Sequence, residues 1–204
     1  MTEQKPIVYL DLDRTVFQTS LVGRMYGTIG ELFEHVDAKK AYAEIKQYFV
    51  HTDDGRYYHD FSAHLEALGL VPEDVYTLLL ESDLANGQME FPGVAELVAM
   101  LEDVAEVRIL TYGAADYQIC KAGLCPSLAG IPIITTTRHK AEVLAEFEEE
   151  CWLIDDNPIG EELPNNVSFI QVDLERRGNT PVDAFWPVFD NLTDTKDYLY
   201  DQLH

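Results

Sequence analysis

Short runs rich in valine, isoleucine and leucine frame this chain: IVYLDL (7–12), VRILTY (107–112), IPIITT (131–136), CWLID (151–155) and VSFIQVD (167–173). Near-continuous apolar runs of this length read as strands buried on both faces. Segments of helical period lie between the later runs. PGVAELVAMLEDV starts on Pro92 and repeats apolar residues at Val94, Leu97, Val98 and Leu101. AADYQICKAG stops at Gly123, which reads as a C-terminal cap, and RHKAEVLAEFEEE gathers Val143, Leu144 and Phe147 on one face. Strands alternating with helices predict an α/β fold, a Rossmann-like parallel sheet flanked by helices.

Residues 18–88 break the alternation. GELFEHVDAKKAYAEIKQYFV and HDFSAHLEALG have helical character, PEDVYTLLLES starts another helix behind Pro72, and no strand is expected there. The chain therefore divides into an α/β core domain (1–17 and 89–204) and a helical cap domain (18–88) inserted after the first strand. The tail 174–191 has no clear period, and TDTKDYLYDQL closes the chain as a helix.

Of the 204 residues 37 are acidic and 14 basic, a formal net charge of -23. That balance argues against a nucleic-acid backbone or an anionic membrane as partner, since both require a positive footprint. No stretch resembles a signal peptide and no apolar run approaches the ~20 residues of a membrane span, so a cytoplasmic protein is expected. Cys120, Cys125 and Cys151 are odd in number and lack paired metal spacing, which predicts reduced thiols.

In an open parallel sheet, ligands bind beyond the carboxyl ends of the strands. The first run delivers Asp11 and Asp13, which alternation puts on one side if the strand runs through both. The second delivers Thr111, Tyr112 and Gly113 before a helix start, the third leads to Lys140, and the fourth delivers Asp155 and Asp156. Converging carboxylates repel one another unless a hard cation sits among them, and oxygen ligands suit Mg²⁺. With a phosphate ester as ligand, the cation would bridge Asp11, Asp155 and a phosphate oxygen. Thr111 and the amides near Gly113 would hold other oxygens, helped by the helix N-terminus. Lys140 would neutralise charge beside Asp11, while one carboxylate attacks phosphorus and the other handles protons.

These elements, DLDRT (11–15), LTYG (110–113), Lys140 in RHKAE and IDDNP (154–158), resemble in order the four motifs of the haloacid dehalogenase (HAD) superfamily of phosphatases and phosphotransferases. The insertion after the first motif resembles the C1 class of caps. The resemblance implies Asp11 as nucleophile, forming an aspartyl-phosphate, and Asp13 as general acid/base whose backbone carbonyl also touches Mg²⁺. It implies Thr111 on the phosphoryl group, Lys140 beside Asp11 and the phosphate, Asp155 on the metal, and Asp156 as an outer ligand or orienting group. Many members carry glycine where this chain has Arg14; either the local turn differs, or the guanidinium faces substrate together with Thr111, Tyr112 and Gly113.

The expected function is a Mg²⁺-dependent phosphatase hydrolysing a small phosphorylated metabolite. A phosphotransferase or phosphomutase of the same fold, and a non-enzymatic phosphate-sensing relative, are the alternatives. Receiver domains gather similar groups, but with the lysine on the last strand, whereas here an acidic pair follows Lys140. His59 and His64 are unassigned, and Arg56, Tyr57 and Tyr58 fall in a turn between cap helices that faces either the site or solvent.

Overall fold

A computed structural model describes residues 5–204. Strand β1 (Ile7–Leu10) is buried at every position. The chain then forms α1 (Val22–Leu32), α2 (Ala38–Glu44), strands β2 (Phe49–His51) and β3 (Tyr57–His59), α3 (Phe61–Ala67) and α4 (Pro72–Leu80). It returns through α5 (Val94–Val104), β4 (Glu106–Tyr112), α6 (Ala115–Gly123), β5 (Ile133–Thr136), α7 (Lys140–Leu144), β6 (Cys151–Asp155), β7 (Val167–Val172), β8 (Val188–Phe189) and α8 (Leu192–Leu203).

Six strands form one sheet in the order β5-β4-β1-β6-β7-β8, and every pairing in it is parallel. Strand β1 lies between β4 and β6, so both its edges are paired, and a core packs on each of its faces, which is why its sequence is apolar throughout. Val8, Leu10, Ile109, Ile154 and Ile170 pack into the larger core. Ile7, Tyr9, Leu110, Leu153 and Phe169 pack into a second core on the opposite face with Val143 and Leu144 of α7. The chain builds outward from β1 through β4 to β5, then crosses back to β6 on the other side. Such a reversal opens a crevice at the carboxyl ends of the central strands.

The segment 18–88 is not all helix, because β2 and β3 form an antiparallel hairpin with Phe49 opposite His59 and His51 opposite Tyr57. Gly55 at its tip has φ +83°, and Thr52 and Arg56 close the turn through a 2.9 Å backbone bond. Phe49 stacks on Tyr57 across the strands, with centroids 4.8 Å apart. Asp54-Gly55 between aromatic residues is itself a hairpin signal. The first long helical stretch is broken too: α1 ends at Leu32, and Asp37 starts α2 anew by accepting from the amides of Lys39 and Lys40, both at 3.0 Å.

Three further expectations are corrected. Strand β1 ends at Leu10, so Asp11 and Asp13 are not placed by strand alternation. Gly123 ends α6 without positive φ, so it is not a left-handed cap; it packs beside Leu80 of α4, whose side-chain tip a Cβ there would displace. Helix α7 stops at Leu144, because Glu146, Glu148, Glu149 and Glu150 concentrate negative charge where a helix C-terminus disfavours it. The tail contributes β8, a two-residue edge strand beside β7. Cys120, Cys125 and Cys151 are free and buried. Among the described residues no helix is long and apolar enough to cross a membrane.

The inserted segment meets the rest of the chain on α6. Phe61 packs on Tyr117 at 4.6 Å between centroids, and His59 meets the same ring edge-on at 5.4 Å. His64 is fully buried, stacked on Tyr48 at 4.1 Å and bonded to the Tyr26 hydroxyl at 2.9 Å. Among the described residues, His59 Nδ1 and His64 Nε2 are buried and meet no hydrogen-bond partner. Burial disfavours the charged form of both rings, lowering His64 and taking His59 down to about 3. A histidine held neutral in the folded state contributes its full stability above the unfolded pKa and loses it as pH falls. The unfolding free energy from urea titrations should therefore drop below pH ~6.5, by at most about 1.4 kcal/mol per pH unit for His59, down to its folded pKa. Urea titrations at several pH values check this: His59→Gln should flatten the decline, and parallel curves for both proteins would refute it.

Candidate active site

Asp11 follows β1 directly and donates its amide to the Ile154 carbonyl of β6 at 2.9 Å, which fixes it beside the end of that strand. Asp155 closes β6 and Asp156 comes next. All three are buried, and one carboxylate oxygen from each lies within 4.8 Å of the others. Lys140, the first residue of α7, reaches between them: its Nζ donates to Asp11 Oδ1 at 2.5 Å and to Asp155 Oδ2 at 2.5 Å. Thr15 Oγ1 donates to the other Asp11 oxygen at 3.4 Å, and the Asn157 amide donates to Asp155 Oδ1 at 2.8 Å. Asn157 Nδ2 also donates to Asp156 Oδ1 at 2.9 Å.

Asp13, expected to touch the metal through its backbone carbonyl, has its carboxylate outside this group. Its Oδ1 accepts from Thr19 Oγ1 at 2.8 Å, and its Oδ2 accepts from Gln118 Nε2 at 3.2 Å and from the Lys121 ammonium. The chain turns sharply after Leu12, so its side chain leaves in a different direction from that of Asp11. Arg14 occupies the left-handed region at φ +62°, the conformation glycine adopts most readily. The turn is thus the one a glycine would make, with a side chain added. That side chain is engaged with the loop after β7, Nε donating to Glu175 Oε2 at 3.1 Å.

Thr111 ends buried on β4, donating its hydroxyl to Gln118 Oε1 at 3.1 Å. Gly113 has φ +145°, and a Cβ there would lie 2.4 Å from Gln118 Nε2, so the position requires glycine. Its amide donates to the Thr136 carbonyl at 2.8 Å, which removes it from the set of phosphate donors expected there. Tyr112 points to the opposite side of β4 from Thr111 and lies under the hairpin. Its hydroxyl is 3.3 Å from Thr52 Oγ1, the Arg56 guanidinium sits 5.2 Å from its ring centre, and Tyr58 meets it edge-on. The turn at Arg56–Tyr58 therefore faces the site's second motif.

Several groups around the site carried no sequence signal. Gln118 and Lys121 sit one turn apart on α6, where their spacing reads as an ordinary helix face. Arg177 lies in the aperiodic tail, yet donates to the Asp156 carbonyl at 3.0 Å and to its carboxylate. Glu175 in the same loop also accepts the Ser20 amide at 3.3 Å, tying the entrance of the inserted segment to the tail. Partners this far apart in the chain meet only through the sheet order.

Burial dominates the electrostatics. It pushes Asp11 up to about 7 against the pull of Lys140, with Asp155 and Asp13 adding to the rise. Burial likewise raises Asp156 to about 8, with Asp155 and Asp11 adding and Arg177 opposing. Burial would lift Asp13 as well, but Lys121, Thr19 and Gln118 overcome it and hold that carboxyl below its ordinary value. For Lys140 burial works against the charge, and Asp11 and Asp155 outweigh it, keeping the ammonium above its ordinary range. One lysine and one arginine thus face three buried carboxylates. An all-oxygen donor set with unbalanced negative charge fits a hard divalent cation such as Mg²⁺.

Removing one partner of a buried ion pair strands the other. Lys140→Met should lower the unfolding free energy by about 3–5 kcal/mol, and millimolar Mg²⁺ should restore part of it. Urea unfolding with Mg²⁺ or EDTA checks both; an unchanged midpoint would mean that Lys140 holds no buried charge in place.

No protein-family model matches the chain, and no curated protein sequence matches it. Solved structures do. A haloacid dehalogenase-like protein of Burkholderia xenovorans LB400 superposes with a TM-score of 0.66 at 13% identity, covering 99% of this chain and 100% of that one. The HAD-type protein YfnB of Bacillus subtilis, crystallised with magnesium, gives 0.58 at 12% identity over 97% and 99% of the two chains. CbbY of Rhodobacter sphaeroides, in complex with xylulose-1,5-bisphosphate, gives 0.53 at 14% identity over 94% and 96%. Similarity at these identities is similarity of fold, and the fold of this chain is that of the haloacid dehalogenase-like hydrolases.

Proposed function

We propose that the protein is a Mg²⁺-dependent phosphatase that hydrolyses a small phosphorylated metabolite through an aspartyl-phosphate on Asp11. The observation that carries this is the buried group Asp11–Lys140–Asp155–Asp156: a nucleophile, a cation and two more carboxylates at the carboxyl ends of adjacent strands. Asp11, Asp155 and Asp156 would hold Mg²⁺, with the Asp13 backbone carbonyl beside them. Once bound, the ion supplies positive charge for the phosphoryl oxygens and offsets the repulsion among the carboxylates.

Asp11 presents a carboxylate oxygen to phosphorus, and Lys140 limits the charge that builds up as it attacks. The bond from phosphorus to the ester oxygen breaks, and that oxygen takes a proton from Asp13, which must first bind one from solvent because Lys121, Thr19 and Gln118 favour its carboxylate form in the free protein, so the alcohol leaves neutral. Asp13, now a carboxylate, takes a proton from water; the water oxygen attacks phosphorus and the acyl-phosphate bond breaks. Phosphate leaves and Asp11 is regenerated. Thr111 would bind a phosphoryl oxygen once its hydroxyl turns away from Gln118, to which it donates in the free protein. Residues 18–88 act as the cap, and the β2–β3 hairpin over Tyr112 restricts access and excludes water. A metabolite fits that enclosure better than a folded macromolecule. YfnB with magnesium and CbbY with a sugar bisphosphate show that this fold accommodates such ligands in other proteins.

Phosphate release from a panel of phosphomonoesters, with Mg²⁺ or EDTA, tests the proposal. Wild type should release phosphate only with the metal, and Asp11→Asn should lose at least about 10³-fold in kcat, the scale of removing a covalent nucleophile. Release that persists in Asp11→Asn would overturn the covalent route. A folded, Mg²⁺-binding protein that releases nothing across the panel would overturn hydrolysis.

A further inference from the structure

We propose that Lys121 is a positioning residue for Asp13, holding that carboxylate in one orientation at the edge of the acidic centre. This rests on the reaction proposed above. The Lys121 side chain is 4% exposed, whereas that of Asp13 is 26% exposed, so the lysine approaches from the protein interior and the carboxylate faces outward. Lysine is almost never buried to this degree unless its charge is paired. Among the described residues its ammonium pairs with a single carboxylate, Asp13. Two aromatic rings flank it as well: the ammonium lies 4.6 Å from the ring centre of Tyr117 and 5.6 Å from that of Phe17. Both rings present π faces that favour a cation.

An apolar residue would fill the space between two rings without the desolvation cost of an ammonium. What the charge adds is a directed bond to Asp13 Oδ2. Gln118 donates to the same oxygen at 3.2 Å, and its carbonyl oxygen accepts from Thr111, so the two donors from α6 link Asp13 with the second motif. Tyr117, one turn before Lys121, packs on Phe61 and His59 of the inserted segment. One face of α6 therefore carries both the support of Asp13 and the seat of the cap. The position of the proton-handling carboxylate is set from behind, by groups that do not touch the substrate.

The test is a double-variant cycle read as kcat and KM on the panel's best phosphomonoester. Lys121→Met should lower kcat at least about 10-fold with KM within about threefold, the pattern of an interaction needed in the transition state. Lys121→Arg, which keeps the charge, should retain more kcat than Lys121→Met. Lys121→Met combined with Asp13→Asn should be no slower than Asp13→Asn alone, because the lysine acts through that carboxylate. A Lys121→Met enzyme within about twofold of wild type, or losses that multiply in the double variant, would overturn the assignment. An activity-independent readout separates this from failure of the phosphatase proposal. The protected lysine ammonium ¹H–¹⁵N resonance of the wild type, absent in Lys121→Met, should shift in Asp13→Asn. An unshifted resonance would overturn the contact whether or not the protein turns over phosphomonoesters.

Discussion

The Lys140 ammonium, at 2.5 Å from both Asp11 and Asp155, is the interaction around which the rest of the acidic end of the sheet is arranged. Without it, carboxylates from two adjacent central strands would face each other in a buried crevice, and one would have to take up a proton. The lysine has to come from a different direction, and the crossover from β5 through α7 supplies it. That helix is only five residues long, enough to place a side chain at its first position and to bury Val143 and Leu144 beneath the sheet. Its brevity follows from the acidic run that succeeds it, so the same segment both delivers the cation and ends quickly.

Around that pair the charges are distributed unevenly, and the unevenness gives the carboxylates different characters. Asp11 and Asp156 are driven upward by burial and by their neighbours, whereas Asp13, with three donors on its two oxygens, is driven downward. Aspartates of identical chemistry become distinct groups through their surroundings. Arg177 on Asp156 and Lys121 on Asp13 extend the pattern: each of these carboxylates has its own cation, held by an element other than the strand that delivers the carboxylate.

The inserted segment is bound to this centre at two places. Its helices seat on α6 through Phe61 and Tyr117, while its hairpin reaches the far side of β4 and covers Tyr112. Glu175, bonded to both Arg14 and the Ser20 amide, secures the point where that segment leaves the core.

The parallel sheet and the acidic and cationic groups at its strand ends were legible in the sequence, because both depend on local patterns: apolar runs that stop at aspartate or threonine, and a helix that begins with lysine. Asp11, Lys140 and Asp155 could be named together since each stands at or just beyond the boundary of an element, and a parallel sheet brings such positions to one edge. The direction of Asp13 could not be, because β1 ends at Leu10 and the turn beyond it obeys no strand period. The hairpin escaped because three-residue strands carry too few residues for a period, though Asp54-Gly55 marked its turn. Lys121, Arg177 and Glu175 were invisible for a different reason: each owes its role to a partner 108, 21 or 161 residues away. Local sequence sets which elements form and what stands at their ends. Which cation meets which carboxylate follows only from the order in which six strands lie side by side.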